Sequence, residues 1–144
     1  MMHFWDEESG AVQLTEHARL YAHMPRSAVF AARRTLMGET PLPKGADGDL
    51  LLPLPAFMVE GGKLACVCVM HGDQLHAVEF QVVSVGQRRR GNAEQQRALL
   101  FQCLRAADPA PDSKRGVLLR CPFGTALVAT DPRSGEATLR LTYR

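Results

Sequence analysis

The chain has 144 residues, of which 46% are hydrophobic and 22% charged, and this length and composition are those of one globular domain. The net charge of +2 excludes a polyelectrolyte tail and provides no general attraction to nucleic acid. No apolar run approaches the roughly 18 residues of a membrane span, and the first residues lack the basic and apolar regions of a signal peptide. We therefore expect a single domain over 1–144 in a cytoplasmic protein without membrane contact.

Cysteine and arginine usage indicates the compartment and the source. The four cysteines are predicted to be reduced structural thiols, because a chain without an export signal stays in a reducing cytosol. Cys103 falls in an amphipathic helical pattern and Cys121 in an apolar strand, where free cysteine acts as a small hydrophobic residue. Arginine outnumbers lysine by 14 to 3, a ratio typical of GC-rich bacterial genomes, so we expect a bacterial protein.

The region before Pro25 is predicted to hold a lead-in and one short helix. Residues 1–14 have little periodicity and are expected to form a lead-in or a first edge strand. Thr15 can cap a helix through Met24, which must end there because Pro25 cannot continue it.

A second helix is predicted over 28–37. Ser27 is its expected N-cap and Gly38 its expected C′ residue. Arg33 falls in the middle of the apolar side of this helix. It is either a snorkelling side chain at the edge of the packed face or a charge directed towards a pocket or partner.

A leucine-rich segment, Asp49–Phe57, follows a loop. Its two prolines, Pro53 and Pro55, cannot donate to a sheet ladder, which predicts an edge strand or an extended segment across the sheet. Arg115–Phe123 shares the leucine-rich start and a late proline before phenylalanine. This likeness indicates an internal repeat.

Turns at Gly61-Gly62 and Gly72-Asp73 predict a three-stranded antiparallel meander over about 56–85. With a two-residue turn at Gly72-Asp73, Val67 pairs with Val78, Val69 with His76 and Ala65 with Phe80. The predicted core face then consists of Ala65, Val67, Val69, Val78, Phe80 and Val82. The opposite, mixed surface consists of Cys66, Cys68, Met70, Leu75, Ala77, Glu79 and Gln81.

The strongest helical pattern covers 92–107. Asn92 is the expected N-cap, and Gln95 completes a capping box. Phe101 falls on the polar side, where an exposed phenylalanine can anchor a partner or a second subunit. The predicted buried stripe consists of Ala93, Gln96, Leu99, Leu100, Cys103, Leu104 and Ala107.

Three strands are predicted after this helix. The first two cover 117–121 and 125–130, on either side of Pro122-Phe123-Gly124. The last strand alternates, with Ala137, Leu139, Leu141 and Tyr143 facing inwards. The fold class is therefore α+β, with an antiparallel sheet, helices packed on one face, and the order α-βββ-α-βββ.

A basic loop precedes the helix predicted over 92–107. Arg88, Arg89 and Arg90 come just before Asn92, where free backbone amides and the helix dipole favour an anion. The segment from Gln87 to Arg120 holds eight basic and three acidic residues. Either this loop binds a phosphate or an acidic partner surface, or it is a solvated basic loop.

A candidate zinc cluster lies in the first meander: Cys66 and Cys68, with His71 and His76 further along the chain. Zinc needs four converging thiolate or imidazole ligands. In the predicted register the cysteines and the histidines lie on opposite faces. We therefore expect no metal site, unless the register at Gly72-Asp73 shifts by one residue.

Sequence motifs for phosphate binding, serine hydrolysis, zinc proteolysis and calcium binding are absent. The cysteines in the strands also lack an activating turn or helix N-terminus. We therefore expect neither an enzyme nor a cofactor. Nucleic acid is not an expected partner, since the chain has one Trp and two Tyr for base stacking.

In size and predicted element order the chain resembles small bacterial secretion chaperones and toxin-immunity proteins, which bind other proteins. We therefore expect a non-enzymatic protein-binding module, whose contact residues are Arg88–Arg90, Asn92, Phe101 and Arg33. A homodimer is also expected to form through sheet edges, beside Pro53 or at the C-terminus. The alternative is a small enzyme or an anion- or ligand-binding protein that uses the Arg88–Arg90 loop.

Overall fold

The computed structural model describes residues 4–39, 49–86, 88–89, 91–104, 116–131 and 133–144, without the side chains of Asp49, Arg88 and Arg89. It contains two helices, α1 (Arg26–Met37) and α2 (Ala93–Leu104). The first strands are β1 (Val12–Thr15), β2 (Ala18–Leu20), β3 (Asp49–Val59), β4 (Gly62–His71) and β5 (Gln74–Val85). The others are β6 (Arg88–Arg89), β7 (Val117–Cys121), β8 (Gly124–Thr130) and β9 (Ala137–Tyr143). All strand pairs are antiparallel, so the α+β class is confirmed.

The main sheet has seven strands in the order β3-β4-β5-β9-β8-β7, and β6 pairs with the end of β5. The C-terminal strand β9 therefore lies inside the sheet, so the predicted edge at the C-terminus is wrong. Its backbone pairs with β5 on one side and with β8 on the other. The two edges of the six-strand path are β3 and β7. Pro53 and Pro55 lie on β3, where their missing N–H groups cost no ladder bond.

One face of the sheet, here called the inner face, packs against both helices. Helix α1 contacts β2, β3 and β5, and α2 contacts β5, β8 and β9. The largest fully buried side chains include Phe80, Leu100, Leu104 and Leu139, and they belong to one hydrophobic cluster. Neither described helix is long and apolar enough to cross a membrane.

The N-terminal segment forms a small hairpin, β1-β2, in place of the predicted helix from Thr15 to Met24. The buried residues of this segment alternate with period two, because Ala18 and Leu20 are buried on either side of the exposed Arg19. This alternation is that of a strand, and it overrides the proposed helix cap. Residues 1–14 thus include a genuine strand start at Val12.

Helix α1 begins two residues earlier than predicted. Its N-cap is Pro25, which makes no side-chain cap, so the predicted role of Ser27 is wrong. Proline is compatible with this position, because a residue ahead of the first helical turn donates no hydrogen bond within the helix. Gly38 ends the helix as predicted, at φ +72°, and its N–H donates to the carbonyl of Arg34 at 2.8 Å.

The β4–β5 hairpin differs from the prediction in register. The turn is as predicted, since His71 pairs with Gln74, but Val69 then pairs with Ala77. His76 is therefore the extra residue of a β-bulge. Beyond the bulge Cys66 is opposite Phe80 and Cys68 opposite Val78, so the predicted pairs of Val67 with Val78, Val69 with His76 and Ala65 with Phe80 are wrong.

The bulge exchanges the predicted faces of β4. Leu75 lies at an odd position of β5, and Val78 and Phe80 lie at even positions, yet all three are fully buried. Successive side chains of a strand point to opposite faces, so Leu75 can share a face with Val78 and Phe80 only if an extra residue lies between them. Cys66, Cys68 and Met70 consequently lie in the core, and Ala65, Val67 and Val69 lie on the opposite face.

The last third of the chain follows the prediction more closely. Strand β9 has the predicted alternation, and α2 buries Gln96, Leu99, Leu100, Cys103 and Leu104. Ala93 is exposed instead of buried, and Ala107 lies outside the described residues. Part of Arg115–Phe123 also lies outside them, so the internal repeat stays a prediction.

Two long-range hydrogen bonds fasten the N-terminal segment, one to α2 and one to β9. Trp5 Nε1 donates to the carbonyl of Cys103 at 2.7 Å, and Tyr143 Oη donates to the carbonyl of Gly10 at 2.8 Å. A Cβ on Gly10 would lie 2.6 Å from Phe123 Cγ and 2.7 Å from Tyr143 Cε1. The backbone therefore approaches these rings as closely as only glycine permits.

We expect Gly10→Ala to destabilise the protein more than Gly38→Ala. Both positions have φ near +70°, so each substitution incurs backbone strain of about 1–3 kcal/mol. Only Gly10 has rings against the new methyl group, whereas Gly38 has nothing within 4 Å. Overpacking against these rings lowers the free energy of unfolding of the Gly10→Ala variant by about 1–3 kcal/mol more. Urea unfolding of both variants measures the difference. Equal losses in the two variants would contradict the close packing at Gly10.

Candidate functional site

The face of the sheet opposite the helices, here called the outer face, is a candidate contact surface. Its side chains come from the alternate strand positions that point away from the helices, and two of them, Val69 and Ala77, are themselves buried. From β3 to β7 these residues are Leu51, Pro53, Ala65, Val67, Val69, Ala77, Glu79, Gln81, Thr138, Arg140, Thr142, Thr125, Leu127, Ala129, Leu118 and Arg120. Within the described residues, both helices pack on the inner face only.

Apolar side chains flank a central ion pair on this face. Arg140 Nη1 lies 3.6 Å from Glu79 Oε2, across the β5–β9 pair. Leu51 on β3 is 58% exposed and Leu118 on β7 is 51% exposed, so both ends of the face offer apolar area to solvent. A half-exposed ion pair contributes little to stability, but it gives the face a fixed charge pattern that a partner can match.

The cysteines of the candidate zinc cluster lie in the core. Cys66 and Cys68 are almost completely buried, which corrects their predicted place on a mixed surface. A hydrogen bond with Cys68 and burial both raise the pKa of the Cys66 thiol well above its usual value. Burial also raises the pKa of the Cys103 thiol to about 11. These thiols stay protonated at neutral pH, so they are poor nucleophiles and poor metal ligands.

The two histidines of the same cluster come together, away from the cysteines. The rings of His71 and His76 have centroids 5.8 Å apart, and both residues are exposed. Cys68 and His76 therefore do not converge, because they lie on opposite faces of the sheet. Among the described residues, no group of three or more His, Cys, Asp and Glu side chains is placed to hold a metal ion.

The start of α2 has the predicted capping box. Gln95 N–H donates to Asn92 Oδ1 at 2.8 Å, and Asn92 N–H donates to Gln95 Oε1 at 2.9 Å. The amide of Gln95, which an anion at this helix end would need, is thus already bonded. Arg88 and Arg89 pair with Val85 and Ser84 through their backbones, and Arg90 lies outside the described residues.

A cavity of about 280 Å³ lies beside this helix end, between β5 and the β8–β9 turn. Gln81, Val82, Gln96 and Ala137 are among its lining residues. The buried Gln96 accepts from the N–H of Ala137 at 3.3 Å and donates to the carbonyl of Gly91 at 3.4 Å. Its amide therefore ties α2 to β9.

Phe101 and Arg33 do not lie on the outer face. Phe101 is half-buried against the core, with the guanidinium of Arg97 5.8 Å from its ring centroid, so the prediction of an exposed phenylalanine is wrong. The ring packs against the core and also lies beneath the Arg97 guanidinium, so only part of it meets solvent. Arg33 is 5% exposed, in the buried side of α1 as the periodicity predicts.

The outer face was missed by sequence reasoning, although β8 carries a signal for it. Its run Ala126-Leu127-Val128-Ala129 is apolar at successive positions, which indicates a strand with two apolar faces. Leu118-Leu119 on β7 has the same character. An alternating pattern, as in β9, is instead typical of a strand with one solvated face.

Comparisons with known proteins identify no relative of this chain. No protein-family model matches it. No curated protein and no solved structure matches it either.

We expect Cys103→Ala to flatten the alkaline pH dependence of stability. The Cys103 thiol has a pKa near 11 in the folded chain against 9.0 as its ordinary value. As pH rises from 9 to 11, the unfolded chain therefore loses a proton that the folded chain keeps, and the free energy of unfolding decreases. Urea unfolding over this pH range should give a steeper decrease for the unsubstituted chain. Parallel pH profiles would contradict the buried thiol.

Proposed function

We propose that this chain is a small, cytosolic, non-enzymatic protein-binding module of bacterial origin, with an adaptor, chaperone-like or immunity-like role. Its partner is another protein, which binds on the outer face of the sheet. The observation that carries this proposal is the asymmetry of the sheet. Two helices and the N-terminal segment cover one face, and apolar side chains extend over the other.

The size of the outer face supports a protein partner. Six strands spaced about 4.8 Å apart, with about seven residues of 3.3 Å each, span an area of about 650 Å². A standard protein interface buries about 800 Å² on each partner, and side-chain relief raises the accessible area above the flat estimate. A small ligand would use only a fraction of such a surface.

The chemistry of the outer face also suits a protein. Leu118, Leu127 and Val67 supply apolar area, and the Glu79–Arg140 pair supplies charges of both signs near the centre. Interfaces combine apolar contacts with a small number of matched polar groups. Nucleic acid would need a surface of mainly positive charge.

The alternative is an anion- or ligand-binding protein that uses the Arg88–Arg90 loop. The cavity beside α2 does not favour an anion, because Glu136 is the one charged residue of its described lining. Against it, the Asn92–Gln95 capping box already bonds one amide of that helix end. An Arg88/Arg89/Arg90→Ala variant separates the two functions. It removes anion binding but leaves a partner on the outer face.

We expect Leu118→Glu/Leu127→Glu to weaken partner binding at least tenfold. Both side chains lie on the outer face, and an apolar interface cannot accept two uncompensated carboxylates. A tagged chain carrying a photo-crosslinker at 118 identifies the partner in the producing bacterium. Calorimetry with the purified partner then gives the affinities of the variant and the unsubstituted chain.

Ala31→Glu is the matched control, because Ala31 is exposed on α1 and the helix tolerates glutamate. It should bind as the unsubstituted chain does. Equal affinities of the outer-face variant and this control would overturn the proposed surface. Light scattering of the purified chain shows whether a second copy occupies the face instead.

A further inference from the structure

The β-bulge in β5 brings two imidazole rings together at the tip of the β4–β5 hairpin. His71 precedes the two-residue turn, and His76 follows it by three positions. In a regular hairpin His76 would be opposite Val69 with no extra residue, but here both His76 and Ala77 are opposite Val69. The bulge redirects the His76 side chain, and its ring centroid lies 5.8 Å from that of His71, with 51° between the ring planes.

We propose that His71 and His76 together bind one divalent transition-metal ion, of the kind that prefers imidazole nitrogen: zinc, copper or nickel. This inference is independent of the proposed protein-binding function. It also differs from the four-ligand cluster considered for the sequence, because the thiols of Cys66 and Cys68 are in the core and take no part.

The ring separation fits a shared ion. With metal–nitrogen bonds of about 2.0–2.1 Å in a tetrahedral arrangement, two imidazole ring centroids lie about 5 Å apart. The observed 5.8 Å closes to that value by small side-chain rotations. Both residues are exposed, so an ion from solvent can reach the rings without any backbone movement.

The site uses one nitrogen of each ring. In metal-binding histidines the other ring nitrogen usually donates a hydrogen bond that orients the ring. Water completes the coordination, since two protein ligands leave positions open. The ion is therefore exchangeable and has no role in forming the core, which is complete without it.

The test uses the full-length chain without a histidine tag, freed of metal by chelation. Every variant carries His3→Ala, so that the N-terminal segment offers no competing imidazole. Zinc chloride is titrated by calorimetry, and copper is examined by electron paramagnetic resonance. We expect one equivalent of zinc to bind, and two imidazole nitrogens to couple to copper.

His71→Ala and His76→Ala should each weaken zinc binding at least tenfold and reduce the coupled nitrogens to one. His17→Ala is the matched control, because His17 is an exposed histidine of the β1–β2 turn, and it should bind as the parent does. Circular dichroism confirms that the variants fold. Zinc affinity that is unchanged in either hairpin variant, or equally weakened by His17→Ala, would overturn the proposal.

Discussion

The β-bulge at His76 is the constraint on which both faces of the sheet depend. A strand with strict alternation would have to expose either Leu75 or the pair Val78 and Phe80, although all three are fully buried. The cost of exposing one such side chain, about 1.5–3 kcal/mol, exceeds the loss of one ladder position. The extra residue therefore lies where it lets all three side chains enter the core, and the pairing of Cys66 with Phe80 and of Cys68 with Val78 follows from it.

The same bulge separates the cysteines from the histidines of the candidate zinc cluster, although these residues are close together in the sequence. Cys66 and Cys68 lie in the apolar interior, whereas the exposed rings of His71 and His76 meet at the hairpin tip. A cluster that looks like one site along the chain is thus divided between an inert core and an accessible hairpin tip. The outer face begins beside this tip and extends over the whole sheet to Leu118.

Much of the fold was predictable from the sequence, and the errors have a common cause. Strand β9 and the capping box of Asn92 were predictable because their signals are local: strict alternation in one, and two side chains at helix-cap spacing in the other. The register of β4 and β5 was not, because a bulge is decided by which side chains the rest of the core can accommodate. The place of β9 inside the sheet likewise depends on pairing with a distant strand, β5. For the candidate site, the contact residues predicted from local charge and periodicity include Arg33, which is buried, and Phe101, which is half-buried.

The central place of β9 has a consequence for synthesis of the chain on the ribosome. Strand β5 is translated more than fifty residues before its neighbour β9, so one edge of the β3-β4-β5 meander stays open while the rest of the chain is made. Strand β9 emerges after the other strands of this sheet and joins its two halves, and Tyr143 on it bonds back to Gly10. Such pairing between distant segments is slow. Until it is complete, the growing chain exposes an apolar strand edge that invites aggregation.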